Sequence, residues 1–159
     1  MRKSVVAVDS KVVVFDMDGT VADLYAVSDW LECLEREDVR PYVEAQPLYN
    51  MAELRDVLLS LKDNGWRVVV TSWLSKGSSK SYDKEVRRAK REWLEKYQFP
   101  FDDIHLVKYG TTKANCTRAL GGYQVLVDDN EAVRRGWGLG ATINANNNII
   151  EELLSLLKI

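Results

Sequence analysis

Two aspartates directly follow a short apolar run near the beginning of the chain. The run VVVF (12–15) leads into Asp16, and Asp18, Gly19 and Thr20 come next. Such a short run predicts a strand buried on both faces, with Asp16 at its carboxyl end and Asp18 pointing the same way if the chain stays extended. Paired carboxylates suit a hard cation and, in its field, a nucleophilic carboxylate. The alternative is a plain turn, because Asp and Gly both favour turns.

Strands and helices alternate in the predicted secondary structure. Beyond 12–15, strands are predicted at 67–70, 104–107, 124–127 and 140–143, together with a short one at 4–8 that pairs with 12–15. Helices are predicted at 28–37, 51–64, 83–97, 131–135 and 149–157, and from Thr111 or Thr112 to Leu120. Such alternation is typical of a parallel sheet with helices on both faces. The predicted fold class is therefore α/β, with a three-layer Rossmann-like parallel sheet.

Polar residues end three of these strands. They are Asp16 and Asp18 after the strand at 12–15, Thr71-Ser72 after the strand at 67–70, and Asp128-Asp129 after the strand at 124–127. Because parallel strands place their carboxyl ends on one edge of a sheet, these side chains are expected to meet. Lys113 begins a helix that opens on the same side and is expected to join them.

This set, in this order, resembles the haloacid dehalogenase (HAD) superfamily of aspartyl-nucleophile phosphotransferases. The signature of that superfamily is hhhhDxDGT, where h is apolar, then a strand ending in Ser or Thr, then a Lys, then hhhhDD. Here the matching segments are VVVFDMDGT at 12–20, VVVTS at 68–72, Lys113, and VLVDD at 125–129. The resemblance covers nearly the whole chain and implies the HAD fold. It extends to the phosphatase domains of polynucleotide kinase-phosphatases and to small 5′-nucleotidases.

The resemblance implies a role for each aspartate. Asp16 would be the nucleophile that forms an aspartyl-phosphate. Asp18 would protonate the leaving oxygen and then deprotonate the attacking water. Mg²⁺ would be held by Asp16, the backbone carbonyl of Asp18, and Asp128. Asp129 would be either a further carboxylate at the metal or a residue that caps the following helix.

The residues that would bind the phosphate leave alternatives open. Ser72 is preferred over Thr71 because a longer apolar run then precedes it. Lys113 is preferred over Lys108 because a lysine in the first helical turn can direct its stem back towards the strand edge. Either lysine can instead be a solvated surface charge. An ammonium and a hydroxyl are what the spread negative charge of a transferred phosphoryl group requires.

Other reactive or aromatic side chains are expected to be mostly structural. His105 lies within an apolar strand, and Cys33 and Cys116 lie in predicted helices without a close cysteine motif. Trp30 is expected in the core. Trp73 directly follows the second motif, so it is a candidate for stacking on a base or sugar, with the core as its alternative.

The substrate prediction depends on the size of the cap. Only about 21–49 remains for a cap, called the flap here, so the site is expected to be fairly open. Lys76, Lys80 and Lys84 add positive charge after the second motif, although such charges are often only solvated. The favoured function is a Mg²⁺-dependent phosphatase for nucleotide or nucleic-acid ends. The alternatives are a phosphotransferase and a non-catalytic phospho-ligand or protein-binding module, although the latter would be expected to lose Asp16, Asp18 or Asp128.

Composition limits the remaining possibilities. The chain has 159 residues, which suits one domain, and its net charge of −2 gives no global case for nucleic-acid binding. The first nine residues contain too short an apolar run for a signal peptide, and no stretch approaches the ~20 apolar residues of a membrane-spanning helix. A cytoplasmic protein with reduced cysteines and no membrane partner is therefore expected.

Overall fold

The computed structural model describes residues 10–159. It contains seven strands, which are β1 (Lys11–Phe15), β2 (Ala22–Asp23), β3 (Gln46–Pro47), β4 (Trp66–Trp73), β5 (Asp103–Val107), β6 (Tyr123–Asp128) and β7 (Thr142–Asn144). The main sheet has the order β5-β4-β1-β6-β7, and every pairing in it is parallel. The predicted α/β class is confirmed. The strand expected at 4–8 lies outside the described residues.

Seven α-helices connect the strands. They are α1 (Trp30–Glu35), α2 (Arg40–Glu44), α3 (Met51–Asp63), α4 (Lys80–Lys96), α5 (Lys113–Thr117), α6 (Glu131–Arg135) and α7 (Ile149–Ser155). Single 3₁₀ turns occupy Leu24–Ala26, Arg118–Leu120 and Leu156–Lys158. The side chains of Asn50, Ser79, Asn130 and Asn148 each accept a backbone N–H in the first turn of α3, α4, α6 and α7. Such caps satisfy N–H groups that have no partner within the helix.

The central strand β1 is buried on both faces. Val13 and Phe15 point into the larger core cluster, which α3, α4 and α7 complete with residues such as Leu58, Trp93 and Leu153. Val12 and Val14 point the opposite way, into a smaller cluster that includes Ala114 and Trp137. This alternation of side chains explains why the strand reads as an uninterrupted apolar run, and it fixes Asp16 at the edge of the sheet.

The flap (21–49) folds into short elements beside the main sheet. Strands β2 and β3 pair antiparallel, and the helices α1 and α2 lie between them in the chain. Tyr42 of α2 packs with Tyr82 and Val86 of α4 in a third apolar cluster. The flap is thereby attached to the helix that follows β4.

The flap is also where the predicted helices differ from the structure. The helix predicted at 28–37 is shorter, and its N-cap is Asp29, with a φ of 59°. Helix α2 has no counterpart among the predicted helices, and it contains Pro41, a residue that usually breaks a helix. Proline is tolerated in the first turn of a helix, where its missing N–H needs no partner, and Pro41 lies there.

Smaller differences occur at the ends of other elements. Helix α4 begins three residues before the predicted Asp83, since Ser79 caps it and itself donates to the carboxylate of Glu37. Strand β7 begins at Thr142 rather than at Gly140. Over residues 10–159, none of the helices combines the length and the apolar character needed to cross a membrane.

Candidate active site

The carboxyl ends of β1, β4 and β6 meet at one edge of the sheet. Because Phe15 pairs in register with Val70 and Val127, the chain leaves all three strands at the same level. A cavity of about 460 Å³ opens above this edge. Its polar lining includes Asp16, Asp18, Ser72, Lys113, Asp128 and Asp129, together with Glu35, Ser75, Lys76 and Asn130. Apart from Thr71, the polar strand ends named from the sequence therefore line one cavity.

Lys113 lies between two carboxylates from neighbouring strands. Its Nζ is 2.7 Å from Oδ1 of Asp16 and 2.9 Å from Oδ2 of Asp128, and only 4% of the residue is exposed. Burial acts to lower the pKa of Lys113, but the two carboxylates outweigh it and raise the pKa. The side chain is therefore an ammonium. Lys108, the alternative from the sequence, is exposed and does not line the cavity.

Three carboxylates form an acidic cluster next to this ammonium. Asp16, Asp128 and Asp129 each offer one oxygen atom, and these atoms all lie within 4.8 Å of one another. Thr20 Oγ1 donates to Oδ2 of Asp16 over 2.7 Å and accepts the backbone N–H of Asp129 over 3.2 Å. Burial, followed by the charge of Asp16, raises the pKa of Asp129 to about 7.

The donor set of this cluster fits a hard divalent cation. Carboxylate oxygens are ligands that suit Mg²⁺. Burial, followed by the negative charge of Asp16, raises the pKa of both Asp128 and Asp129, and a bound cation would offset that negative charge. Asp129 lies at the cluster, and it is the next residue, Asn130, whose side chain caps α6. Of the two alternatives for Asp129, the cluster position is the one the structure shows.

The side chain of Asp18 lies apart from the acidic cluster. Its Oδ2 is 2.8 Å from the Nζ of Lys90, a residue of α4 with no exposed surface. Burial raises the pKa of Asp18, and the Lys90 ammonium opposes that shift. The resemblance implies only the backbone carbonyl of Asp18 as a metal ligand, and the carboxylate of Asp18 does not belong to the cluster of Asp16, Asp128 and Asp129. The metal contact of that carbonyl stays a prediction.

Ser72 and Thr71 point in different directions, as successive residues of a strand must. Ser72 lines the cavity, and its Oγ accepts a hydrogen bond of 2.8 Å from Lys90. Thr71 is fully buried away from the cavity, and its hydroxyl has no hydrogen-bond partner among residues 10–159. Of the two hydroxyls left open by the sequence, only that of Ser72 is placed to reach a ligand.

Gly19 allows the turn after β1 to pack closely against the cluster. Its φ is +79°, a conformation that favours glycine. A Cβ at this position would collide with the carboxylate of Asp129 and lie 2.8 Å from the ring of Tyr25. The absence of a side chain at Gly19 therefore permits both residues to approach the turn.

Aromatic side chains form the outer walls of the cavity. Trp73 and Tyr109 form one pair, with ring centroids 5.1 Å apart, and Tyr25 and Trp30 of the flap form another, with centroids 4.9 Å apart. The Nε1–H of Trp73 donates to the carbonyl of Thr111 over 2.8 Å, which fixes the indole. Trp73 thus lies where its sequence position suggested. Trp30, expected in the core, packs partly buried against the third apolar cluster and also lines the cavity.

The remaining candidates lie elsewhere. His105 is partly exposed on β5, 4.0 Å from the carboxylate of Asp103, and does not line the cavity. Cys33 is buried in α1, where its Sγ accepts from Arg36 and Arg40. Cys116 is a free thiol of α5. These placements agree with the structural roles expected from the sequence.

Lys90 is the residue of the site that the sequence prediction missed. At helical spacing it falls in the apolar stripe of the helix predicted at 83–97, and Lys90 is indeed buried with Val86, Ala89 and Trp93. The signal was available: a lysine at a core position of an amphipathic helix requires a partner. Which partner it finds depends on the packing of α4 against β4, which periodicity alone does not define.

Comparison with known proteins gives no close relative. No family model matches the chain, and no curated protein matches it. Among solved structures, a structural-genomics target from Vibrio cholerae shares 21% identity over 60% of this chain and 68% of its own, with a TM-score of 0.37. D,D-heptose 1,7-bisphosphate phosphatase from Burkholderia thailandensis shares 18% identity over 94% of this chain and 100% of its own, with a TM-score of 0.41. These similarities are too low to carry an argument about function, which therefore depends on the site itself.

Proposed function

We propose that this chain is a HAD-type phosphatase, a Mg²⁺-dependent phosphomonoester hydrolase that works through an aspartyl-phosphate on Asp16. One observation carries the proposal. Both oxygens of Asp16 are held at the cavity, Oδ1 by the ammonium of Lys113 over 2.7 Å and Oδ2 by the hydroxyl of Thr20 over 2.7 Å. A carboxylate fixed in this way beside a cation is arranged for nucleophilic attack on an anionic group.

Four groups would hold the metal ion. They are the side chains of Asp16, Asp128 and Asp129, which form the acidic cluster, and the backbone carbonyl of Asp18. When bound, Mg²⁺ supplies positive charge that screens these carboxylates from the phosphate and stabilises its negative oxygens. The chemistry of the site follows from the protein side chains placed around it.

The reaction has two steps, in which Asp16 and Asp18 have different roles. In the first, an oxygen of Asp16 bonds to phosphorus, the ester P–O bond breaks, and the leaving oxygen takes a proton from Asp18. In the second, water gives a proton to Asp18 and bonds to phosphorus, and the bond to Asp16 breaks to release inorganic phosphate. Lys113 and the hydroxyl of Ser72 bind the phosphate oxygens in both steps.

The walls of the cavity support a substrate whose leaving group carries an aromatic base, such as a nucleotide or a nucleic-acid end. The pair of Trp73 and Tyr109 and the pair of Tyr25 and Trp30 line the same cavity as Asp16. Stacking on such rings is the sequence-tolerant way in which proteins bind bases. Lys76 lines the same cavity and adds a cation for a further phosphate.

The experiment that tests the proposal is a screen for phosphate release with Mg²⁺ present. The panel contains an aryl phosphate, sugar phosphates, nucleoside 3′- and 5′-monophosphates, and oligonucleotides with a 3′- or a 5′-phosphate. We expect hydrolysis of the aryl phosphate and preference for a base-containing substrate, and no release by Asp16→Asn. Binding of phosphorylated ligands without turnover of any of them would instead indicate a non-catalytic module. Transfer of the phosphoryl group to an added alcohol in preference to water would indicate a phosphotransferase.

A further inference from the structure

Lys90 carries a buried ammonium whose three N–H donors are all occupied by protein atoms. Its Nζ is 2.8 Å from Oδ2 of Asp18, 2.8 Å from Oγ of Ser72 and 2.8 Å from the carbonyl oxygen of Trp73. The ring of Tyr42 lies beside it, with the centroid 5.1 Å from Nζ. Since a lysine ammonium has three donors, none is left for a ligand in the cavity.

Lys113 differs from Lys90 in this respect. Among residues 10–159, the ammonium of Lys113 donates to the carboxylates of Asp16 and Asp128, which leaves one N–H for the cavity. The two buried lysines therefore have separate roles. Lys113 is placed to contact the phosphate, whereas Lys90 contacts only groups of the protein.

We infer that Lys90 is a positioning residue, which orients Asp18 towards the leaving group and Ser72 towards the phosphate. This inference deepens the proposed function and depends on it for the roles of those two groups. Burial of an ammonium is costly unless the contacts around it are complete. The contacts around Lys90 are complete because its three acceptors lie on Asp18, which follows β1, and on Ser72 and Trp73 at the end of β4.

The geometry of these contacts determines what the two groups can still do. The Oγ of Ser72 accepts from Lys90, so the hydroxyl proton of Ser72 remains available to donate to a phosphate oxygen. The Oδ2 of Asp18 is anchored, so its other oxygen remains for the leaving group in the cavity that Asp18 lines. One cation thus arranges a donor for the phosphate and a proton carrier for the ester oxygen.

The kinetic test compares Lys90→Met with Lys96→Met, an exposed lysine on the same helix. The measurement is kcat/KM for two substrates, an aryl phosphate whose leaving group needs no proton and an alkyl phosphate whose leaving group does. We expect Lys90→Met to lower kcat/KM for the alkyl ester by about 10²-fold or more and to lower it for the aryl ester at least tenfold less. Lys96→Met should change neither value. An equal loss with both substrates, or no loss, would overturn the inference.

A second measurement needs no enzymatic activity, so it separates this inference from the proposed function. Lys90→Met leaves the buried carboxylate of Asp18 without its cation, and adding Asp18→Asn removes that charge. The double variant should therefore unfold at a higher temperature than Lys90→Met alone. If the loss in Tm of the double variant equals the sum of the losses of Lys90→Met and Asp18→Asn, Lys90 does not hold Asp18. If the wild type hydrolyses no phosphomonoester but the rescue is seen, the proposed function fails while the contact stands.

Discussion

The ammonium of Lys113 lies 2.7 Å from Oδ1 of Asp16, although 97 positions separate the two residues in the sequence. The contact joins the first residue of α5 to the residue that follows β1. It holds one oxygen of the Asp16 carboxylate at the edge of the cavity. It also places a positive charge where a phosphate oxygen would come to rest.

Substitution of Lys113 should impair catalysis, and it should also lower stability because it leaves the carboxylates of Asp16 and Asp128 without their cation. We expect Lys113→Met to lower kcat for an aryl phosphate by about 10²–10³-fold, the usual cost of losing one preorganised charge or donor. Lys108→Met is the matched control, because Lys108 is exposed and is the other lysine that the sequence offered. Steady-state kinetics on both variants, with circular dichroism to verify folding, make the comparison. Equal effects from the two substitutions would contradict the assignment.

Gly19→Ala should disturb the metal site through a collision. The new Cβ would meet the carboxylate of Asp129 and the ring of Tyr25. Gly77→Ala is the control, since Gly77 also has a positive φ, +65°, but has no atom within 4 Å of the added Cβ. Both variants should lose about 1–2 kcal/mol of stability from the backbone conformation. Only Gly19→Ala should also lose Mg²⁺ affinity in calorimetric titration, and retained affinity would show that the cluster does not depend on this close approach.

The part of the fold that the sequence predicted is the part that local pattern determines. Residues 12–15 are buried on both faces, so they are apolar without interruption, and the polar residues at the strand ends mark one edge of the sheet. The choice between Ser72 and Thr71 required the structure, because it depends on which face of β4 each side chain takes. A boundary shift of one residue would have exchanged them.

The flap and Lys90 could not be predicted from local pattern, because tertiary contacts define them. Helix α2 contains Pro41 and is only five residues long, so packing of Tyr42 against α4 stabilises it rather than intrinsic propensity. Lys90 occupies an apolar position on α4, and only the neighbouring strand ends explain it. Trp30 both packs against the third apolar cluster, as expected, and lines the cavity, and the helical pattern alone indicates only the first of these contacts.

Metal binding should be measurable as thermal stabilisation. Because a ligand stabilises the state that binds it, Mg²⁺ at about 100 Kd adds about 2.7 kcal/mol, or roughly 5–10 °C in Tm for a chain of this size. Asp128→Asn and Asp129→Asn should lose most of this shift, whereas Asp56→Asn, on the exposed face of α3, should keep it.

EDTA should abolish turnover, and Mg²⁺ should restore it. Full turnover by a metal-free preparation would contradict the proposed chemistry.

The change of Tm with pH also has an expected direction when no metal is bound. Folding raises the pKa of Asp129 from 3.8 to about 7, so the folded chain loses stability as the pH rises from 3.8 to about 7, and the loss is complete above that. At pH 8 and without metal, Asp129→Asn should therefore raise Tm relative to the wild type, and the difference should shrink as the pH is lowered from about 7 towards 3.8. A lower Tm for the variant at pH 8 would show that the carboxylate stabilises the fold.

Trp73 should determine affinity for the leaving group. If a base stacks on this indole, Trp73→Leu should raise KM for a nucleoside monophosphate by about 5- to 150-fold, which corresponds to about 1–3 kcal/mol per stacked base. Trp73→Phe retains an aromatic face and should recover part of the loss. The internal control is a small alkyl phosphate, whose KM should change little. Equal changes in KM for both substrates would show that Trp73 acts on the phosphate side, through the Lys113 ammonium that lies 5.2 Å from its ring.

The two aspartates after β1 should be separable by trapping the phosphoenzyme with an aryl phosphate, whose leaving group needs no protonation. Asp16→Asn removes the nucleophile, so no phosphoenzyme should form. Asp18→Asn leaves Asp16 able to attack, but the second step lacks the group that activates water, so phosphoenzyme should accumulate. Loss of a general acid–base lowers rates by about 10²–10⁴-fold, which rapid-quench capture of protein-bound phosphate resolves easily. The assigned roles are wrong if Asp16→Asn becomes labelled or if neither substitution slows turnover.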